Sequence, residues 1–266
     1  MVFSKELLFL IVVAAILCSC GFYKFLYFIS IGYGAAIAGQ GLFLLVYFHH
    51  LSWVTQLECV VLIFYGIRLA GYLLIRELKN NAYRNVLKTI VTDDTKMSFI
   101  AKLSIWLSCI ILYATQVSPV FYGLYNKAQV SIASYIGLLI MIAGVALECI
   151  ADYQKSKAKK KNPKRFCDKG LYKIVRCPNY LGEIVLWTGV LITGIDNLVS
   201  IGQWIVALIG YIGIFYVMLG GARRLEIRQD KSYGTDKKYR AYKSHTPILL
   251  PLIPLYSVKN WNWLKW

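Results

Sequence analysis

The stretch GLYKIVRCPNYLGE, residues 170–183, decides how this chain is read. A basic, polar segment ends in it and an apolar one begins. Pro178 suits the first turn of a helix, where its missing N–H removes no helical bond. Asn179 and Glu183 are then four residues apart and share a helix face. No charge follows Glu183 until Asp196, so this face takes an amide and a carboxyl into a bilayer. A charge at the bilayer centre costs roughly 2.5–3.5 kcal/mol, and ionisable residues held there mark functional sites. The start of this helix reads as the floor of a binding site at the membrane surface.

The composition agrees with a membrane setting. Of 266 residues, 58% are hydrophobic, and the mean hydropathy is +0.55. That excludes a soluble domain and implies several membrane spans. A formal charge of +17 would suit nucleic acid, but the cations lie between apolar runs. Topology and anionic lipid explain them better, and no nucleic-acid partner is expected. The seven Cys form no C-x-x-C pair, which argues against a disulfide framework or a zinc site. His49, His50 and His245 are too few and too scattered for a metal centre, and no metal is expected.

Apolar runs predict spans over about 7–23, 25–48, 53–75, 103–125, 131–151, 179–195 and 198–222. Lys5 precedes the first run, but Glu6 weakens a signal-peptide reading, and a retained helix is favoured. Cations fall in every second connection: Lys24; Arg76, Lys79, Arg84, Lys88, Lys96 and Lys102; Lys155 to Arg176; and Arg223 to Lys243. The alternate connections hold His49, His50, Lys127 and Asp196 as their ionisable residues. The positive-inside rule then predicts an all-α, polytopic membrane protein. It has a bundle of about seven transmembrane helices, the N-terminus outside and the C-terminus cytoplasmic. It reads as a single domain, with residues 131–251 as a cofactor-binding half.

Within span five, Glu148 and Asp152 are four apart and face one way. The cations that follow, Lys155 to Arg165, lead directly to the helix start at Pro178. Cations together with a helix N-terminus suit a pyrophosphate. No G-x-G-x-x-G and no P-loop is present, so a nucleotide would not be held in a Rossmann manner. On span three, Tyr65, Arg68, Tyr72 and Arg76 fall at helical spacing on one face. Arg68 either pairs with a buried carboxylate such as Glu148 or serves a substrate or cofactor. Glu58 lies about ten residues from Arg68, roughly 15 Å along the helix, and is expected near the outer surface. Arg223, Arg224 and Arg228 close span seven, and Tyr239 and Tyr242 follow in an aromatic, basic tail.

Taken together, these residues resemble the steroid 5-alpha-reductase (3-oxo-5-alpha-steroid 4-dehydrogenase) family, in its domain-of-unknown-function 1295 branch. The resemblance rests on ECIADYQK (148–155), on RCPNYLGE (176–183) in the place of an Arg-His-Pro-Asn-Tyr-x-Gly-Glu signature, on GIRL (66–69), and on a late LE…YG…Y..Y…P pattern. It implies a seven-helix membrane bundle with an NADPH cavity opening to the cytoplasm. The activity it implies is that of an oxidoreductase of lipid metabolism, reducing a carbon–carbon double bond conjugated to a carbonyl. By the same resemblance, Asp152, Asn179, Tyr180 and Glu183 contact the cofactor, and Lys159, Arg165, Arg223 and Arg224 are candidates for its phosphates. Tyr65 resembles the tyrosine that holds the substrate carbonyl. The chain departs from the pattern at Cys177, where His is usual, and at NAYR (81–84), where an acidic pair commonly precedes Arg-Tyr.

The implied partners are a hydrophobic small-molecule substrate and membrane lipid, and the oligomeric state is open. In the mechanism this implies, hydride adds to the beta carbon while a donor stabilises charge on the carbonyl oxygen. Tyr65 is the candidate donor, Arg68 polarises it, and Glu183 with Asn179 orients the nicotinamide. Two rivals share parts of the pattern. One is a methyltransferase similar to the isoprenylcysteine carboxyl methyltransferases, using S-adenosylmethionine. The other is a non-catalytic sterol- or lipid-binding protein on the same scaffold.

Overall fold

The computed structural model describes residues 2–49, 51–79 and 97–264. Among them all regular structure is helical, in eight α-helices: α1 (Lys5–Cys18), α2 (Ile31–Tyr47), α3 (Trp53–Lys79), α4 (Phe99–Tyr125), α5 (Ile132–Lys161), α6 (Pro178–Thr193), α7 (Ile201–Tyr233) and α8 (Lys237–His245). Short 3₁₀ turns extend α1 through Ser19–Phe22 and precede α2 at Phe25–Ile29. By length and composition, five helices can cross a membrane: Lys5–Phe22, α3, α4, α5 and α7. The protein is thus an integral, multi-pass membrane protein. At 17 and 16 residues, α2 and α6 fall short of the ~20 that span a bilayer core upright.

Polar side chains set several helix starts. Ser4 accepts from the Leu7 N–H and Ser98 from the Ala101 N–H, each satisfying a first-turn donor. Asp236 caps α8 in the same way through the Lys238 N–H. Pro178 opens α6, as its ring geometry favours.

Three boundaries differ from expectation. The run 25–48 is not one helix: Ser30 leaves the helical region at φ −133°, ψ −95°. Its hydroxyl donates to the Leu26 carbonyl at 2.7 Å, and Tyr113 donates to the Phe28 carbonyl at 2.7 Å. Side chains there take over from the helical ladder. The segment after residue 151 is not a loop at its start, because α5 continues to Lys161. Ala, Lys and Gln are strong helix formers, and the helix stops just before Pro163. For the same reason α7 runs to Tyr233, so Arg223, Arg224 and Arg228 are helical. His50, Arg84, Lys88, Lys96 and the NAYR segment lie outside the described residues.

The chain forms two compact units, Met1–Leu138 with Val190–Tyr211, and Leu139–Gly189 with Ile212–Trp266. The first is built on the crossing of α2 and α3. A Cβ at Gly34 would lie 2.6 Å from the Gly66 carbonyl oxygen, and one at Gly66 would lie 2.2 Å from the Gly34 oxygen. Ala38 and Ala70, four residues on from each, line the same contact. Small residues at four-residue spacing let membrane helices approach backbone to backbone. Lys24 and Tyr27 both bond Glu77, tying the turn before α2 to the end of α3. Asn126 donates to the Asn197 carbonyl at 2.8 Å and to Gln203 at 2.9 Å, holding the end of α4.

The Gly66 contact leaves no room for a methyl group, whereas a Cβ at Gly71, on the same helix, meets nothing within 4 Å. Gly66→Ala should therefore destabilise by roughly 1–3 kcal/mol. Gly71→Ala should be neutral or stabilise by up to ~1 kcal/mol through helix propensity. Thermal unfolding of the two variants in detergent compares them directly.

Candidate functional site

The second unit gathers most of the polar residues singled out above. Its geometry begins where α5 crosses α6. A Cβ at Gly144 would stand 2.4 Å from the Leu186 nitrogen, and one at Gly182 2.9 Å from the Glu148 nitrogen and 3.2 Å from Glu148 Cγ. The glycine of the LGE tripeptide is therefore needed so that α6 can lie directly on α5 at Glu148. That contact holds two acidic residues within the packed region: Glu148 is 4% exposed and Glu183 5%. Asp152 is half-buried one turn further along α5. It is no frayed end, since the helix continues beyond it to Lys161.

The first turn of α6 carries Asn179 and Tyr180, both half-buried. Asn179 Oδ1 is buried and accepts no hydrogen bond among the described residues. The Tyr180 ring packs where Gly221 of α7 leaves room, 3.2 Å from the position of a Cβ. Arg224, Arg228 and Glu183 lie within electrostatic reach of its hydroxyl.

The chain reaches α6 through two backbone hydrogen bonds to the tail. Arg176 N–H donates to the Pro247 carbonyl at 2.9 Å and Cys177 N–H to Ile248 at 3.0 Å. Arg176 itself is a structural residue. It is 2% exposed, its guanidinium lies 3.4 Å from Glu226, and it also donates to the Tyr256 carbonyl. Glu226 accepts further from Lys243 at 2.9 Å and from the Val258 N–H at 3.0 Å. Asp230, one turn on, takes Lys243 at 2.8 Å, Lys259 at 3.3 Å and the Tyr239 hydroxyl at 2.9 Å. Burial opposes the charge on Lys243, but bonds to Asp230 and Glu226 outweigh it and raise its pKa. Sequence reading missed this cluster. Its one signal was a pair of acids, Glu226 and Asp230, four apart within a basic run.

Several phosphate candidates are engaged within the unit. Lys159 donates to the carbonyls of Pro163 and Arg165 and to the Tyr233 hydroxyl, at 3.1, 2.7 and 2.7 Å. Arg165 pairs with Asp168 at 2.6 Å. Arg223 donates to the Lys259 carbonyl at 3.1 Å, while Arg224 is exposed. Gln154 of the ECIADYQK segment accepts from the Leu171 N–H at 2.8 Å. Gly170 sits beside it at φ +63°, a backbone region that favours glycine. Phe166 packs among Tyr233, Tyr239 and Tyr242, with ring centroids 5.3–6.0 Å away, and this cluster fastens α8 to the end of α7 and to the segment after α5.

Tyr65 and Arg68 belong to the first unit. Tyr65 is fully buried, and its hydroxyl donates to Tyr33 at 3.1 Å. Gln116 Nε2 lies 3.4 Å from the same Tyr33 oxygen, and the Tyr33 ring is 4.7 Å from Tyr113. Tyr33 was not singled out in the sequence, since one tyrosine among 20 carries no signal. Arg68 is half-buried. Glu58 is 4% exposed in the second turn of α3. A cleft of about 700 Å³ in this unit, lined by residues including Phe3, Lys5, Leu8 and Tyr125, touches none of the candidate residues.

Two variants probe this arrangement. Glu226→Gln leaves the buried Arg176 without its counter-charge. It should cost about 3–5 kcal/mol and open the tail to protease, read by thermal unfolding and limited proteolysis. Burial pushes the Cys177 thiol up to about 12, whereas an unfolded chain releases that proton near ~8.5. Cys177 therefore contributes full stability below about pH 8.5 and loses it as pH rises toward 12. Melting temperatures from neutral pH upward should fall less steeply in Cys177→Ala than in the parent.

Comparison with curated proteins and with solved structures finds no match. A family model described as "Protein of unknown function (DUF1295)" matches residues 25–246, well over half of the chain. With α2 to α8 and every candidate residue inside that match, the chain belongs to the DUF1295 family.

Proposed function

We propose that this protein is a membrane-embedded, NADPH-dependent reductase of a carbon–carbon double bond conjugated to a carbonyl, acting on a hydrophobic, steroid- or lipid-like substrate. The observation that carries the reading is Asn179 Oδ1, a buried acceptor without a donor in the first turn of α6. A carboxamide N–H, as a nicotinamide presents, would satisfy it. Glu183 follows one turn deeper on the same face and is buried, so it can hold the carboxamide from a second direction.

In this reading the coenzyme supplies a hydride, and the chain binds and orients it from the cytoplasmic side. Asn179 and Glu183 fix the carboxamide, Asp152 offers a further acceptor, and Tyr180 lines the same helix start. Arg224, on α7 and within electrostatic reach of Tyr180, is a phosphate candidate beside the same helix start. Lys159, Arg165 and Arg223 would first have to give up the internal bonds described above. Tyr65 is the candidate donor to the substrate carbonyl, where charge develops as hydride adds. The neutral Cys177 cannot replace the second donor that a histidine would bring.

Purified protein should carry or bind NADPH, identified by the mass of the released nucleotide. Asp152→Ala and Glu183→Ala should each weaken that binding about tenfold or more, and unchanged affinity in both would defeat the assignment. Tyr65→Phe should lower enone turnover roughly 100-fold with coenzyme affinity intact. Thermal stabilisation by S-adenosylmethionine but not by NADPH would instead favour the methyltransferase.

A further inference from the structure

The outer face of α5 changes character along its length without a break. Leu139, Ile142 and Ile150 are 67%, 45% and 48% exposed, and Tyr153 is 64% exposed. At the same three- and four-residue spacing the stripe continues as Lys157, Lys160 and Lys161, all exposed. Lys157 sits over the Tyr153 ring, 5.7 Å from its centroid. Apolar, then aromatic, then cationic is the order in which a helix meets hydrocarbon, interface and headgroups. None of these three lysines has an ion-pair partner among the described residues. Asp168 is taken by Arg165, and Glu226 and Asp230 by Arg176, Lys243 and Lys259. Lys159, on the opposite face, is turned inward to Tyr233.

We infer that the stripe from Tyr153 through Lys157, Lys160 and Lys161 is a binding surface for anionic phospholipid headgroups in the leaflet from which α5 emerges. The stripe is continuous with side chains that face the acyl region. A ligand whose phosphate reaches the lysines and whose tail lies along Leu139 to Ile150 matches all of it. A soluble polyanion would match only the basic end. Each lysine near an anionic surface favours it about fivefold, which compounds to roughly 100-fold for the three.

Native mass spectrometry of the full-length protein in detergent tests this by titration with phosphatidylglycerol and phosphatidylcholine of identical acyl chains. The parent should bind phosphatidylglycerol at least about tenfold more tightly. K157Q/K160Q/K161Q should lose that preference, while the matching lysine-to-arginine variant keeps it. Unchanged melting in both variants guards against a folding defect. Equal binding of the two lipids by the parent, or an unaltered preference in the glutamine variant, overturns the inference. Displacement by millimolar inorganic phosphate also overturns it, because the ligand would then be a free phosphate. The lipid preference is read without coenzyme present, so this result stands or falls apart from the reductase reading.

Discussion

The close approach of α5 and α6 at Gly144 and Gly182 is the constraint on which the second unit depends. With no Cβ on either glycine, the two backbones come within the distance at which a methyl group would collide. In an apolar solvent, helices gain from such packing because lipid chains offer no hydrophobic drive toward association. The approach also brings polar chemistry with it. Glu148 and Glu183 flank the contact and are withdrawn from solvent, where a carboxyl is costly unless something nearby uses it. Close helix packing and buried acids therefore meet in one short segment, Asn-Tyr-x-Gly-Glu.

The buried charges at Arg176 and Glu226, with the half-buried Lys243, do a different job. A buried ion pair adds little net stability because desolvation offsets most of its attraction. Its contribution is to geometry. Glu226 can be satisfied only if Arg176, Lys243 and the Val258 N–H all converge on it. That requirement places the tail against the start of α6, so the backbone bonds from Arg176 and Cys177 to Pro247 and Ile248 can form. The signature arginine thus acts by fixing where the helix begins.

The cations of the α5 extension, the loop after it, α8 and the tail divide their labour. Lys159 and Arg165 stitch the chain to itself, Lys243 and Lys259 neutralise buried or half-buried acids, and Lys157, Lys160 and Lys161 stay exposed. Within α5, helical periodicity does the sorting among Lys157, Lys159, Lys160 and Lys161. Residues about 100° apart on the same helix meet either the packed interior or the lipid interface, even though their side chains are chemically alike.

Much of this was legible in the sequence because membrane burial acts on composition. Long apolar runs and Pro178 at a helix start announce helices whatever their neighbours. The helical fold, the spans now seen as α3, α4, α5 and α7, and the opening of α6 followed directly. The break at Ser30 did not, because it depends on the Tyr113 hydroxyl arriving from 85 positions away to take the Phe28 carbonyl. Nor did the partnership of Tyr65 with Tyr33, or the salt-bridged cluster at Glu226. Each is set by side chains from separate helices meeting in three dimensions, and a one-dimensional pattern records no such distance. The chain by itself determined which segments had to leave water. Tertiary packing decided which polar groups they carried inward together, because only there does an unpaired charge become expensive enough to choose its neighbour.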